Sequence, residues 1–117
     1  GMHTFEFKGG TGTSSRRVRV AGAGEYVVGV LVQSNFGRRW QAQIAGVPIG
    51  REWPEDAPFT AEYGPTNELG SIIVVVATDA PLLPTQLRRL ARRAAMGVAR
   101  TGGTAGNGSG ATPTAMR

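Results

Sequence analysis

The chain has 117 residues, with 13 Lys and Arg against 8 Asp and Glu, a net charge of +5, one histidine and no cysteine; this length is enough for one domain with a small core. Without cysteine there is neither a disulfide framework nor a thiolate metal site, and a lone His3 cannot build a multi-histidine zinc site, so no metal and no cofactor are expected. No apolar run approaches the roughly 20 residues that cross a bilayer and no signal-type segment opens the chain, so no membrane association is expected and the cytoplasm is the expected compartment.

Residues 2–8 alternate enough to predict a strand, with Phe5 and Phe7 on one face and Glu6 and Lys8 flanking. His3 lies in this strand and reads as structural; a Ser-His-Asp triad, which needs an imidazole to take the serine proton, is not expected. Gly9 to Ser15 reads as a turn. It lacks the lysine that a phosphate loop places before its last Ser/Thr, Thr13 standing there instead, which argues against nucleotide binding. Residues 16–20 alternate Arg-Val-Arg-Val as a half-exposed strand, Ala21-Gly22-Ala23-Gly24 supplies a hairpin turn, and residues 25–33 run back. The stretch 27–32 is apolar on both faces, the pattern of a central strand covered on each side.

Ser34-Asn35-Phe36-Gly37 ends that strand, residues 41–47 predict a further short one, and 51–70 reads as a surface loop. Residues 71–78 (SIIVVVAT) form a second wholly apolar strand, stopped by Asp79-Ala80-Pro81. Pro84 then opens a helix, where its missing N–H costs nothing. Leu87, Leu90, Ala91, Ala94 and Val98 fall on one stripe of it and Arg88, Arg89, Arg92 and Arg93 on the other side. Arg100 suits the C-terminal dipole, and Gly102-Gly103 ends the helix. Strands grouped early, followed by a helix laid over them, predict an α+β fold: a mixed sheet with an amphipathic helix packed on it.

On composition alone the segment TGGTAGNGSG (101–110) reads as a flexible tail. Joined to the strand and helix before it, SIIVVVATDAPLLPTQLRRLARRAAMGVARTGGTAGNGSG resembles the DmpA-type L-aminopeptidase/D-amidase-esterase family. These are self-processing hydrolases that include the β-peptidyl aminopeptidases. FEFKGGTGTSSR and YVVGVLVQSNFGRR extend the resemblance over most of residues 2–110.

The resemblance implies an αββα sandwich like that of the ornithine acetyltransferases, of which this chain supplies a part. Residues 1–110 would be the last part of the α-chain region up to the self-cleavage loop, and 111–117 a divergent or truncated tail. It implies a cut between Gly108 and Ser109 that makes Ser109 the N-terminal nucleophile of a second, β chain. The implied substrates are small peptides or aminoacyl amides and esters, and the implied partners are the β chain and further copies in a homo-oligomer. Phe5 stands where the family has a tyrosine hydroxyl, which would remove one oxyanion donor. The family continues from SGD to a second serine and a glutamate that orient the nucleophile; here Ala-Thr-Pro-Thr-Ala-Met-Arg follows Gly110, so the chain is expected to be inactive alone.

The residues around the bond suit this chemistry. An N-terminal serine can use its own α-amine as base, because that amine has a pKa of about 7.7 to 8.0 and is partly neutral in the cell. Gly108 offers no side chain to hinder attack on its carbonyl, Gly110 gives the same freedom beyond, and Asn107 suits an Asn-Gly turn. The developing oxyanion needs positioned donors, and Asn35, at the end of a central strand, is the side-chain candidate. Two readings of other classes stand beside this one, a non-catalytic subunit and a basic nucleic-acid-binding module. Nucleic acid is not the expected partner, since the helix arginines have no interleaved aromatic residues on which bases could stack.

Overall fold

The computed structural model describes residues 1–64, 70–106 and 109–116. Its chain begins with a hairpin where the alternation predicts one strand: His3–Thr4 (β1) pairs with Phe7–Lys8 (β2), and Phe5 and Glu6 make the turn. Their φ angles of 53° and 62° are left-handed, a conformation that costs a non-glycine residue about 1–2 kcal/mol. Tertiary contacts hold it. The Phe5 N–H donates to the Phe36 carbonyl at 2.8 Å and its ring meets Phe36 edge-on at 5.0 Å, while the Glu6 side chain is buried in the network described below. No glycine or asparagine marks this turn, which is why periodicity alone reads through it.

Gly10–Val20 (β3) and Gly24–Asn35 (β4) form a long antiparallel ribbon from Gly10↔Ser34 to Val20↔Gly24. The turn expected at 9–15 is therefore mostly strand. The small Gly, Thr and Ser residues there pair against the strongly β-forming half of β4, and pairing overrides their weak propensity. Gly70–Thr78 (β5) lies antiparallel on the other side of β4, and Ser109–Met116 (β6) runs parallel to β5. A parallel neighbour requires a crossover, and Pro84–Arg100 (α3) supplies it. The sheet order is β3-β4-β5-β6, so the expected mixed sheet with one amphipathic helix is observed. β6 runs unbroken across the boundary at residue 110 where the sequence reading begins a tail.

Alternate residues of β5, Ile72, Val74 and Val76, are buried with Phe5, Phe36 and Ala42. Val28, Val30 and Val32 of β4 and Leu90, Ala94 and Val98 of α3 pack against them. The helix stripe faces inward as its spacing predicts, and Arg88, Arg89, Arg92 and Arg93 are exposed. The expectation that both faces of the apolar strands are covered is corrected: Val27, Leu31 and Ile73, on the face away from α3, remain 41, 38 and 46 % exposed. The described chain holds one layer of helix and one of sheet, and no second layer reaches that side.

Between β4 and β5, two further expectations change. The segment after Gly37 forms a single 3-10 turn, Arg39–Gln41, and residues 44 and 47 share one isolated bridge in place of a strand over 41–47. The expected loop contains two short helices, Ile49–Glu52 (α1) and Pro58–Tyr63 (α2). No helix among the described residues is long and apolar enough to cross a membrane.

α3 ends as the two glycines predict. The Gly102 N–H donates to the Ala99 carbonyl and the Gly103 N–H to the Val98 carbonyl, at 3.0 and 3.1 Å, the two bonds that satisfy the last turn. Gly102 has φ +100°, and a Cβ there would run into the carbonyl of Gln41. Gly102→Ala should therefore destabilise the fold by about 2 kcal/mol, read as a lower urea midpoint at unchanged slope.

Candidate active site

Strand register fixes where Ser109 lies. It opens β6 and pairs with Gly70, the first residue of β5, while the next residue, Ser71, pairs with Asn35, the last residue of β4. Asn35 and Ser109, both singled out in the sequence, thus share one end of the sheet, two inter-strand spacings or roughly 10 Å apart. Gly108 and Asn107 lie outside the described residues. Gly70 has φ +139°, and a Cβ on it would collide with the Asn35 carbonyl oxygen, so a glycine lets β5 begin this close to the end of β4. The Asn35 side chain is held: its Oδ1 accepts the His3 N–H at 3.1 Å, which leaves its Nδ2 hydrogens as donors.

The approach to the expected cleavage loop is pinned as well. The Thr101 carbonyl accepts the Gln43 N–H at 3.0 Å, and Gln41 Nε2 donates to Thr104 Oγ1 at 2.9 Å. The same Gln41 accepts the Arg38 N–H on its Oε1 at 2.7 Å. One glutamine therefore ties the 3-10 turn to the segment leading toward Gly108.

Beneath lies a buried ionic network that sequence reasoning missed. Glu6, with its side chain fully buried, accepts the N–H groups of Arg39, Phe59 and Thr60 at 3.2, 3.0 and 3.0 Å, and the Thr60 hydroxyl. Arg38 Nη1 lies 3.8 Å from it. Burial by itself would raise the Glu6 pKa, but the Thr60 hydroxyl, the Thr60 and Arg39 N–H groups and the Arg38 charge outweigh it and hold the carboxyl below its ordinary 4.5. Arg39 points its guanidinium at five carbonyls, those of Phe5, Glu6, Trp53, Glu55 and Asp56, and lies 3.6 Å over the Phe7 ring. In an Arg-Arg pair after a strand end, no local signal marks the residues as interior.

Because the folded pKa of Glu6 is depressed, its contribution is present above pH 4.5 and is lost as pH falls through the lower folded value. Glu6→Gln removes the charge while keeping the shape. It should cost about 3 kcal/mol at pH 7 and flatten the acid limb of the stability curve, as read by urea unfolding at pH 7 and pH 3. Equal acid limbs for the two proteins would contradict this.

Phe5, expected in place of a family tyrosine, is 6 % exposed and lies in the core, with no hydroxyl to offer. His3 stacks on Phe59 with ring centroids 4.3 Å apart. Burial pushes its imidazole below the ordinary 6.5; Glu6 opposes this and Arg38 adds to it. A cleft of about 570 Å³, between α3, the sheet and α1, is walled by Phe36, Ile49, Trp53, Ile72 and Val98 and is almost wholly apolar, which suits packing better than acyl transfer.

Known proteins resemble this chain in sequence and fold. The chain is 53 % identical over 117 residues to beta-peptidyl aminopeptidase BapA of Sphingosinicella xenopeptidilytica, a match covering 94 % of this chain and 29 % of that protein. It is 51 % identical over 119 residues to the BapA of Sphingosinicella microcystinivorans, covering 94 % and 30 %. Among solved structures, the L-aminopeptidase D-Ala-esterase/amidase of Ochrobactrum anthropi, described as a prototype for the serine aminopeptidases and a variant of the Ntn hydrolase fold, is similar with a TM-score of 0.82 and 48 % identity. That match covers 98 % of this chain and 30 % of the other. The chain thus spans 29–30 % of the length of these relatives. The profile of peptidase family S58 matches residues 1–116, and the chain belongs to that family.

Proposed function

We propose that this chain carries the cleavage loop and nucleophile of a self-processing serine aminopeptidase/amidase. The Ser109 hydroxyl attacks the Gly108 carbonyl, the C–N bond breaks to leave an ester on the serine oxygen and a free α-amine, water hydrolyses the ester to release the Gly108 carboxylate, and the α-amine then serves as base for the regenerated hydroxyl. The serine then takes the acyl group of an aminoacyl amide or ester, the amine or alcohol leaves, and water releases the acid. Asn35 Nδ2 is the donor for the oxyanion. The observation that carries the reading is the register that brings Asn35 and the start of β6 to one end of the sheet, in a chain of family S58 whose lone histidine is packed on Phe59.

On this reading residues 1–110 are the end of the first chain together with the cleavage loop, and hydrolysis belongs to the complete protein, with its β chain and homo-oligomer. The 117-residue chain alone is inactive. The test is N-terminal sequencing and intact mass of the full-length gene product. Two pieces are expected, the second starting at Ser109, together with hydrolysis of an aminoacyl anilide. One uncut chain that still hydrolyses the anilide would overturn the mechanism.

A further inference from the structure

The chain is tied on both sides of the bond proposed to be cut. Ser109 is held by its pairing with Gly70 and Thr104 by the Gln41 side chain, so only residues 105–108 lie between the two anchors. Gln41 is 8 % exposed, and its amide is oriented. The Arg38 N–H, a donor, fixes Oε1 at 2.7 Å, which turns Nε2 toward Thr104 Oγ1 at 2.9 Å. Beside this bond the Gln43 N–H holds the Thr101 carbonyl at 3.0 Å, and Gly102 lies so close to the Gln41 carbonyl that a Cβ has no room. Immediately after Thr104 the backbone bends. Ala105 has φ 51°, in the left-handed region that residues with a Cβ avoid, and it is exposed, so no burial of its own keeps it there. Such a conformation persists where the surrounding structure determines it, and the neighbouring fixed point is the Thr104 hydroxyl.

We infer that Gln41 is a positioning residue for self-cleavage: through Thr104 it sets the left-handed bend at Ala105 that directs the chain toward Ser109. The inference rests on the self-processing proposed above and deepens it. A reacting bond gains rate when the segment carrying it is held in few arrangements, and Gln41 supplies that restriction without acting on the bond itself. Its effect belongs to the uncut precursor. After the cut, on this reading, residues 101–108 close the first chain and no longer have to meet the serine, so the clamp governs cutting and not later turnover.

The full-length precursor, made by cell-free translation, is followed for loss of the uncut chain with time, and anilide hydrolysis is then measured per mole of cut protein. Thr104 is the residue to change, since it is exposed, whereas Gln41 is buried and also receives the Arg38 N–H. Thr104→Val keeps the shape and removes the hydroxyl; it should cut about tenfold more slowly, with hydrolysis per cut molecule within about twofold of wild type. Thr104→Ser restores the hydroxyl and should cut at close to the wild-type rate. Ala105→Gly, which enters the left-handed region freely, should cut at least as fast as wild type, and Ala105→Val, whose branched side chain resists it, about tenfold more slowly. Cutting of Thr104→Val at the wild-type rate, equal slowing by valine and serine at 104, equal slowing by glycine and valine at 105, or hydrolysis per cut molecule that falls in step with cutting overturns the inference. The two failures look different. A wild-type precursor never cut at Ser109 removes the proposed function and the clamp together, while a wild type that cuts beside a Thr104→Val protein that keeps pace removes the clamp alone.

Discussion

Ser109→Ala in the full-length gene product should yield one uncut polypeptide, with hydrolysis of aminoacyl anilides lowered on the order of 10⁶-fold in kcat, the scale seen when a serine nucleophile is deleted. The substitution removes a single oxygen, so the uncut protein should unfold at the same urea concentration as a cleavage-blocked control. Ser109→Cys separates chemistry from packing. A thiol is a competent nucleophile on a similar stem, so the cysteine protein should still cut itself. In the wild type, the rate should rise with pH through about 7 to 8, because the α-amine must lose its proton before it can accept one from the hydroxyl. A rate independent of pH across that interval, or normal hydrolysis by the alanine protein, would remove the N-terminal amine from the mechanism.

Arg39→Met should be the most destabilising single change in the described core, costing about 4 kcal/mol of a total of about 5–15 for a domain. The five bonds of Arg39 use every N–H of its guanidinium, and they gather the β1–β2 turn and residues 53–56 around one charge. Methionine keeps the stem against Phe7 but abandons five carbonyls. Those of Phe5 and Glu6 belong to buried residues, and each buried acceptor left unmet costs about 1–3 kcal/mol. Lysine offers three donors from a point rather than five from a plane, so Arg39→Lys should recover less than half of the loss. The exposed Arg88 is the control, where replacement by methionine should shift stability by less than about 0.5 kcal/mol. Urea midpoints for the three proteins decide it. Similar values for Arg39→Met and Arg88→Met would show that the network holds nothing together.

How far the fold could be read in advance depended on where each signal lay. β4, β5 and α3 were legible because their patterns are local. Apolar runs of strand length bounded by turn residues, and a stripe at helical spacing between Pro84 and Gly102, need no distant partner to be recognised. The β1–β2 hairpin was not, since Phe5 and Glu6 adopt their turn only because Phe36 and Arg39, more than thirty positions on, receive them. The short helices α1 and α2 sit in a stretch whose Pro and Gly content argues for loop. β6 was hidden for a similar reason: Ser-Gly-Ala-Thr-Pro-Thr has little strand character, and the apolar edge of β5 provides its template.

The candidate site divides in the same way. Ser109 came from the resemblance of its loop and Asn35 from its place at a strand end, and the backbone register sets the two at one end of the sheet. Gln41, Glu6 and Arg39 gave no warning in the sequence. Each acts through groups brought near by folding alone, and a charged residue looks the same on paper whether water or five carbonyls surround it.

β3 is the outermost strand of the sheet on one side, eleven residues long, and its second half carries Arg16, Arg17 and Arg19. A rim of unpaired backbone groups that long invites another molecule to zip onto it. Two copies pairing there about residue 17 would bring rows of guanidinium groups together, offset only in part by Glu25 at 3.1 and 3.8 Å from Arg17 and Arg19, so positive charge guards this rim of the described sheet against fibril growth.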